Sequence, residues 1–215
     1  MTVTKLKIRV KFIEPVLGTC SADPEVHAKF IASKAETPGQ AKEEVEAIDV
    51  EEEIKNAVTV FPKDEKGLFL WDYQLKGFFK ENIGMLVELG AANGLSKWSF
   101  RRAVDQFLYV HPRRVYLMDP ATGMPWTESP KIIQRPIRVI TMQGERVALA
   151  SSESLPPETW FDFEVHWLSG DNTKTKMAVF DKDLIIRALD LGMLKGTGQW
   201  RNASNGRFTY EVLEG

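Results

Sequence analysis

With 215 residues, 43% hydrophobic and 27% charged, the chain has enough apolar material for one well-buried domain of ordinary soluble composition. No apolar run approaches the roughly 20 residues that span a bilayer, and the opening MTVTK leads into alternating charge and hydrophobe instead of an apolar signal segment. Cys20 is the only cysteine, which excludes an internal disulfide and a cysteine-cluster metal site and fits a reducing cytoplasm.

The formal net charge of −2 is unevenly spread. Residues 36–65 hold ten acids against three lysines, a local charge of −7, which leaves the remainder at about +5. The sign on a face steers a ligand more than the total does. A solvated acidic helix accounts for this stretch, and so does a lobe that keeps a basic face selective or docks on a partner.

From Lys5 to Phe12 the pattern alternates, with Leu6, Ile8, Val10 and Phe12 on one side and Lys5, Lys7, Arg9 and Lys11 on the other. This predicts a half-buried strand. Its row of four cations is either solvation, edge protection or the floor of an anionic groove. Pro15 and Gly18 break the strand, Asp23-Pro24-Glu25 opens a short helix, and 41–57 reads as an acidic helix. After a short extended segment at 58–61, a turn at 63–67 and an extended 68–71, Asp72 is expected to cap a helix with the stripe Leu75, Phe78, Phe79, Ile83, Leu86 and Val87. Gly77 inside it costs about 1 kcal/mol relative to alanine, which implies close packing or close backbone approach.

A second helix is expected over 98–108 and a strand over 113–117. The prolines between Pro125 and Pro136 argue against regular structure until 137–141. Residues 160–167 form the clearest late strand, with Phe161, Phe163, Val165 and Trp167 on one face and Asp162, Glu164 and His166 on the other. Asp181 caps a helix ending near Gly192, and 208–212 closes the chain as a strand. Helices set among antiparallel strands predict an α+β fold of ferredoxin-like (RRM-like) type, an antiparallel sheet with helices on one face. The expectation is a single domain over 1–215 with an acidic insertion at about 19–60.

Between the last helix and strand runs GTGQWRNASNGRF, from Gly196 to Phe208. Gly196 and Gly198 permit backbone conformations or approaches that a side chain would block, and Lys195, Arg201 and Arg207 supply three cations with no acid among them. Gln199, Trp200 and Asn202 add two amides and a stacking surface, the kit for a single-stranded nucleic acid. The same residues also suit a tight turn around a buried tryptophan. The spacing matches neither a triphosphate-binding P-loop nor a dinucleotide fingerprint. Further basic groups lie at Arg101, Arg102, Arg113 and Arg114, and at Lys131, Arg135, Arg138 and Arg146. Arg113 and Arg114, adjacent in a strand, should face opposite sides.

Catalytic candidates are thin. His27, His111 and His166 occur in unrelated local settings, so a histidine-rich metal centre is excluded and a histidine-pair nuclease needs their meeting in space. Asp23 with His27 is the least improbable acid–base pair. No catalytic residue, metal or cofactor is assigned.

Three stretches carry a resemblance: EPVLG (Glu14 to Gly18), FLWDYQLKGFFKENI (Phe69 to Ile83) with Leu75-Lys76-Gly77, and GMLKGTGQWRNASNGRF (Gly192 to Phe208). In their order the chain resembles the RAMP superfamily, and within it the Cas7-type backbone subunits of CRISPR effector complexes. It also looks similar to small phage and prophage proteins. The resemblance implies RNA or single-stranded nucleic acid as ligand, bound by Lys76 and the 196–207 loop, with other RAMP-like subunits, a homo-oligomer or a host defence protein as partners. Some target-cleaving members use an aspartate in the loop after the first strand, where Asp23 is the local analogue. An effector mimic working through the acidic lobe and a RAMP-type endoribonuclease are the alternatives.

Overall fold

The computed structural model describes residues 2–21, 58–92, 94–141, 144–169 and 180–214. The expected helices at 23–31 and 41–57, the Asp23/His27 pair and most of the acidic stretch lie outside them.

The alternating strands assemble first. β1 (Thr2–Phe12) pairs antiparallel with β11 (Trp160–Ser169) and with β12 (Phe208–Glu214), and β11 pairs antiparallel with β7 (Leu108–His111). The four-stranded sheet therefore runs β12-β1-β11-β7. Period-two patterning puts Leu6, Ile8, Val10, Phe12, Phe161, Phe163, Val165 and Trp167 on one buried face. Helices α1 (Asp72–Glu88) and α3 (Lys182–Lys195) cover it, with Phe79 of α1 lying 6.2 Å from Phe163, ring to ring, and Phe78 lying 5.8 Å from Phe208. Along the chain this unit reads strand, helix, strand, strand, helix, strand, with the fourth strand beside the first and the third beside the first on its other side.

A second, mixed sheet carries β2 (Val16–Leu17), β10 (Gly144–Leu155), β4 (Val58–Val60) and β3 (Cys20–Ser21), with β9 (Lys131–Thr141) paired to β10. Only the β10/β4 pairing is parallel in it. A third, antiparallel sheet joins β5 (Lys63–Asp64), β6 (Gly67–Trp71) and β8 (Arg114–Tyr116). The fold is thus α+β, with three helices among the described residues, α2 being Phe100–Phe107. None of these helices is long and apolar enough to cross a membrane.

Several local expectations shift for identifiable reasons. The 98–108 helix stops at Phe107, because Leu108 to His111 alternates buried and exposed and joins the sheet as β7. The proline-rich segment becomes regular already at Lys131, six residues earlier than Ile137. Pro136 sits opposite Leu149 in a strand whose one partner among the described residues is β10, and an edge strand tolerates the missing N–H. Asp181 caps α3 as expected, its carboxylate accepting from the Leu184 N–H at 2.7 Å. Asp72 instead is the first helical residue of α1, and Gln74 Oε1 reaches back to accept from the Trp71 N–H at 2.8 Å. Gly192 does not end α3: it lies inside the helix, where a Cβ would stand 2.2 Å from Phe78 Cζ.

Phe79 is fully buried between α1 and the sheet. Phe79→Ala should cost about 3–5 kcal/mol, as deletion of a core aromatic does, read as a lower urea midpoint at unchanged slope.

Candidate functional site

Beyond α3 the chain turns at Gly196, whose φ is 78°. The loop that follows is closed by its own backbone. Thr197 N–H donates to Gly206 O at 2.9 Å, and Gly206 N–H donates to Pro15 O at 2.8 Å. A Cβ on Gly206 would stand 1.8 Å from Thr197 O, and one on Gly196 would stand 2.6 Å from Asn205 O. Both glycines therefore serve the closure of the loop itself, Gly196 through the kind of backbone conformation its sequence setting allowed. Gly198 rests on β2, its missing Cβ 3.2 Å from Leu17 O. A single 3-10 turn over Arg201–Ala203 is flanked by left-handed Trp200 and Ser204 (φ 52° and 66°). Such a conformation costs a non-glycine residue about 1–2 kcal/mol. The buried Asn205 offsets part of it by donating to Trp200 O at 3.2 Å.

The cations of the loop meet an acid from elsewhere in the chain. Glu81 on α1 accepts from Arg201 through both oxygens, at 2.7 and 3.2 Å, and from Lys195 at 2.5 Å. Hydrogen bonding from Arg201, reinforced by Lys195 against partial burial, holds the Glu81 carboxyl below its ordinary range. Arg207 is exposed at the loop's exit and Asn202 is exposed on its turn. Trp200 is 42% exposed, so the tight turn does not bury it. The Arg135 guanidinium from β9 lies 5.1 Å from the Trp200 ring centre and donates to Gln199 Oε1 at 3.0 Å. Its Nη1 is buried with no acceptor among the described residues. One member of the third basic group thus joins the loop.

Between the loop, α1 and the β2–β3 exit opens a cleft of about 690 Å³. Val16 and Leu17, Lys76 and Gly77, and Thr197, Gly198 and Arg201 all line it. The three stretches named in the sequence thus converge on one concavity. Gly77 has nothing among the described residues within 4 Å of where its Cβ would be, so helix packing does not account for it. Gln74, Lys80, Glu81 and Asp105 also line the cleft and were not singled out by sequence. Gln74 and Glu81 stand three before and four after Gly77, and that helical spacing was the available signal. Gln74 ties α1 to the strand exit, its Nε2 donating to Thr19 Oγ1 at 2.7 Å. Lys76 Nζ donates to Asp105 O at 2.9 Å and Lys80 contacts the Asp105 carboxylate at 2.6 Å.

Other predicted contacts lie elsewhere. Arg113 stacks 5.1 Å from the Trp71 ring centre, with Asp72 at 4.0 Å. Burial raises the Asp72 carboxyl, against the pull of Arg113. Arg114 lies 5.7 Å from the same ring and bonds Asp64 at 2.7 Å; β8 starts only at Arg114, so strand parity does not govern the pair. Arg138 pairs with Val147 along the β9–β10 ladder. The cation row of β1 points away from the helices, where Arg9 holds Asp162 through two 2.7 Å bonds and Lys11 pairs with Glu158.

Because its folded-state pKa is depressed, the Glu81 cluster adds stability above the ordinary carboxylate value near 4.3 and loses it as pH falls through the lower folded value. Glu81→Gln should therefore be less stable than wild type by about 1 kcal/mol at neutral pH, the scale of exposed ion pairs. Urea titrations at descending pH should show that gap closing only below about pH 4.3.

No family model matches the chain, and neither does any curated protein sequence. Among solved structures the chain is similar to a chain of a structure described as a Type IV-B CRISPR complex, with a TM-score of 0.47 and 9% identity, covering 99% of this chain and 93% of that one.

Proposed function

We propose that this protein binds single-stranded nucleic acid, RNA first, in the cleft between α1 and the glycine loop. The observation that carries the reading is Gly77: a helix-interior glycine, costing about 1 kcal/mol against alanine, whose missing side chain leaves open space in a cleft lined by Lys76, Lys80 and Arg201. A nucleic-acid backbone takes the place a Cβ would fill. Phosphates approach the lysines and arginines, and a base stacks on the exposed Trp200, whose ring the Arg135 guanidinium already flanks.

The order of the four-stranded sheet, fourth-first-third-second with helices after the first and third strands, supports a ferredoxin-like build of RAMP type. On that reading RAMP-like subunits, or further copies of the chain, are the neighbours along a bound strand.

Fluorescence anisotropy with single-stranded oligonucleotides over about 50–200 mM salt tests this, with an expected log–log slope of about −2 for three phosphate contacts. Lys76→Gln should flatten the slope by about 0.7, and Trp200→Ala should cost about 1–3 kcal/mol of binding. Gly77→Gln should raise fold stability by about 0.5 kcal/mol yet weaken binding by at least about tenfold, or 1.4 kcal/mol. Absence of binding for every sequence at low salt, or wild-type affinity in Gly77→Gln, would sink the reading.

A further inference from the structure

The sheet face turned away from the helices brings together two histidines that lie 55 positions apart in the sequence. His111 stands on the edge strand β7 and His166 on β11, with ring centres 4.5 Å apart and planes inclined at 46°. Register explains the meeting. Glu164 lies opposite His111 and His166 opposite Tyr109, so the imidazoles are diagonal neighbours on one face. Glu164 Oε2 accepts from His166 Nε2 at 2.8 Å, which fixes that ring and leaves its Nδ1 directed elsewhere. On the other side of β11, Lys5 is opposite His166 and Lys7 opposite Glu164.

Charge counting across the strands shows what this corner does. Further along the face Arg9 and Asp162 neutralise one another, as do Lys11 and Glu158, and Glu211 lies opposite Arg9 on β12. At the histidine end the facing groups are Lys5, Lys7, Glu164 and, beyond Lys7 on β12, Glu214, while from α1 and the residue before β8 Asp72, Lys76 and Arg113 also act here, Asp72 interacting electrostatically with His111. Tyr109 adds a half-exposed ring whose hydroxyl donates to Gln106 O at 2.8 Å. With both imidazoles neutral, these cations and carboxylates nearly balance. With both protonated, the corner gains two further positive charges on adjacent rings, met only in part by Glu164 at His166 and Asp72 at His111, and an anion between them relieves the repulsion.

We propose that His111 and His166, with Lys5 and Lys7, form a second, proton-gated site that takes a phosphate group. It uses none of the cleft residues of the proposed nucleic-acid site. Recognition is by charge-assisted N–H donors from imidazolium and ammonium, with Glu164 orienting His166. The ligand chemistry is a phosphate, either the terminal monoester of an oligonucleotide or nucleotide, or a bridging diester.

Linkage makes the proposal measurable: if protonation promotes phosphate binding, phosphate must promote protonation to the same degree. The His Hε1 NMR signals of the full chain are followed as inorganic phosphate is added, at about pH 6 and about pH 8, either side of the ordinary imidazole value. Sodium chloride holds the ionic strength constant. Saturable shifts of His111 and His166 are expected at the lower pH, with affinity at least about tenfold weaker at the higher. Phosphate should also raise both titration midpoints in the wild-type protein. Lys5→Gln and His111→Gln, both at solvent-facing positions, should abolish the response of His166. Histidine signals that titrate without responding to phosphate, or that respond equally at both pH values, overturn the proposal. Competition with a dinucleotide bearing or lacking a 5′-phosphate identifies the source: displacement by the phosphorylated form alone marks a monoester, displacement by both marks a diester, and displacement by neither overturns the site. Loss of oligonucleotide binding in the cleft variants, with the histidine response intact, separates the two readings.

Discussion

The rotation of α1 about its own axis decides what the cleft contains, and that rotation is set by the apolar stripe Leu75, Phe79, Ile83 and Leu86 pressed onto the sheet. At 3.6 residues per turn, burying that stripe leaves little freedom for the rest of the surface. Gln74, Gly77 and Glu81 are carried to the flank where the β2–β3 exit and the glycine loop arrive. Gln74 then clamps the helix start to Thr19, and Glu81 clamps the loop. Side chains that make the site are thus positioned by a stripe of which only Leu75 also lines the cleft.

Strands of strict alternation were legible in the sequence because period two is a local property: β1 and β11 fall where the pattern puts them. Pro136 misled because proline is excluded from central strands but accepted at an edge, and edge status depends on partners remote in the chain. The two glycines part for the same reason. Gly196 takes the special conformation its sequence setting allowed and is approached by Asn205 and Gly206 of its own loop, while Gly77, read as a packing or close-approach device, faces open space among the described residues. Backbone approach from elsewhere decides both cases. The meeting of His111 and His166 is the extreme example, set by the register of a strand that the helix pattern over 98–108 concealed.

Charge shows a parallel gap between local and spatial reading. Lys195, Arg201 and Arg207 form an acid-free run in sequence, yet two of the three bond one carboxylate contributed by a helix 114 to 120 positions away. Arg113 and Arg114, expected to face opposite sides of a strand that starts only at Arg114, both lie over a single indole. What survives from the sequence is the chemistry of the parts: an exposed tryptophan lies beside a guanidinium, and a glycine-shaped gap opens in the cleft that Gly198 and Arg201 also line.

Glu81 makes the loop a site already occupied by the protein's own anion. Any incoming phosphate that takes Arg201 and Lys195 must evict a carboxylate that touches both, so the exchange replaces contacts instead of simply adding them. A lone anion of similar size gains little by such an exchange. A polymer gains more, because its second and third phosphates are tethered to the first and arrive at high effective concentration. On the proposed nucleic-acid reading, the internal carboxylate acts as a threshold that discounts small anions in favour of chains.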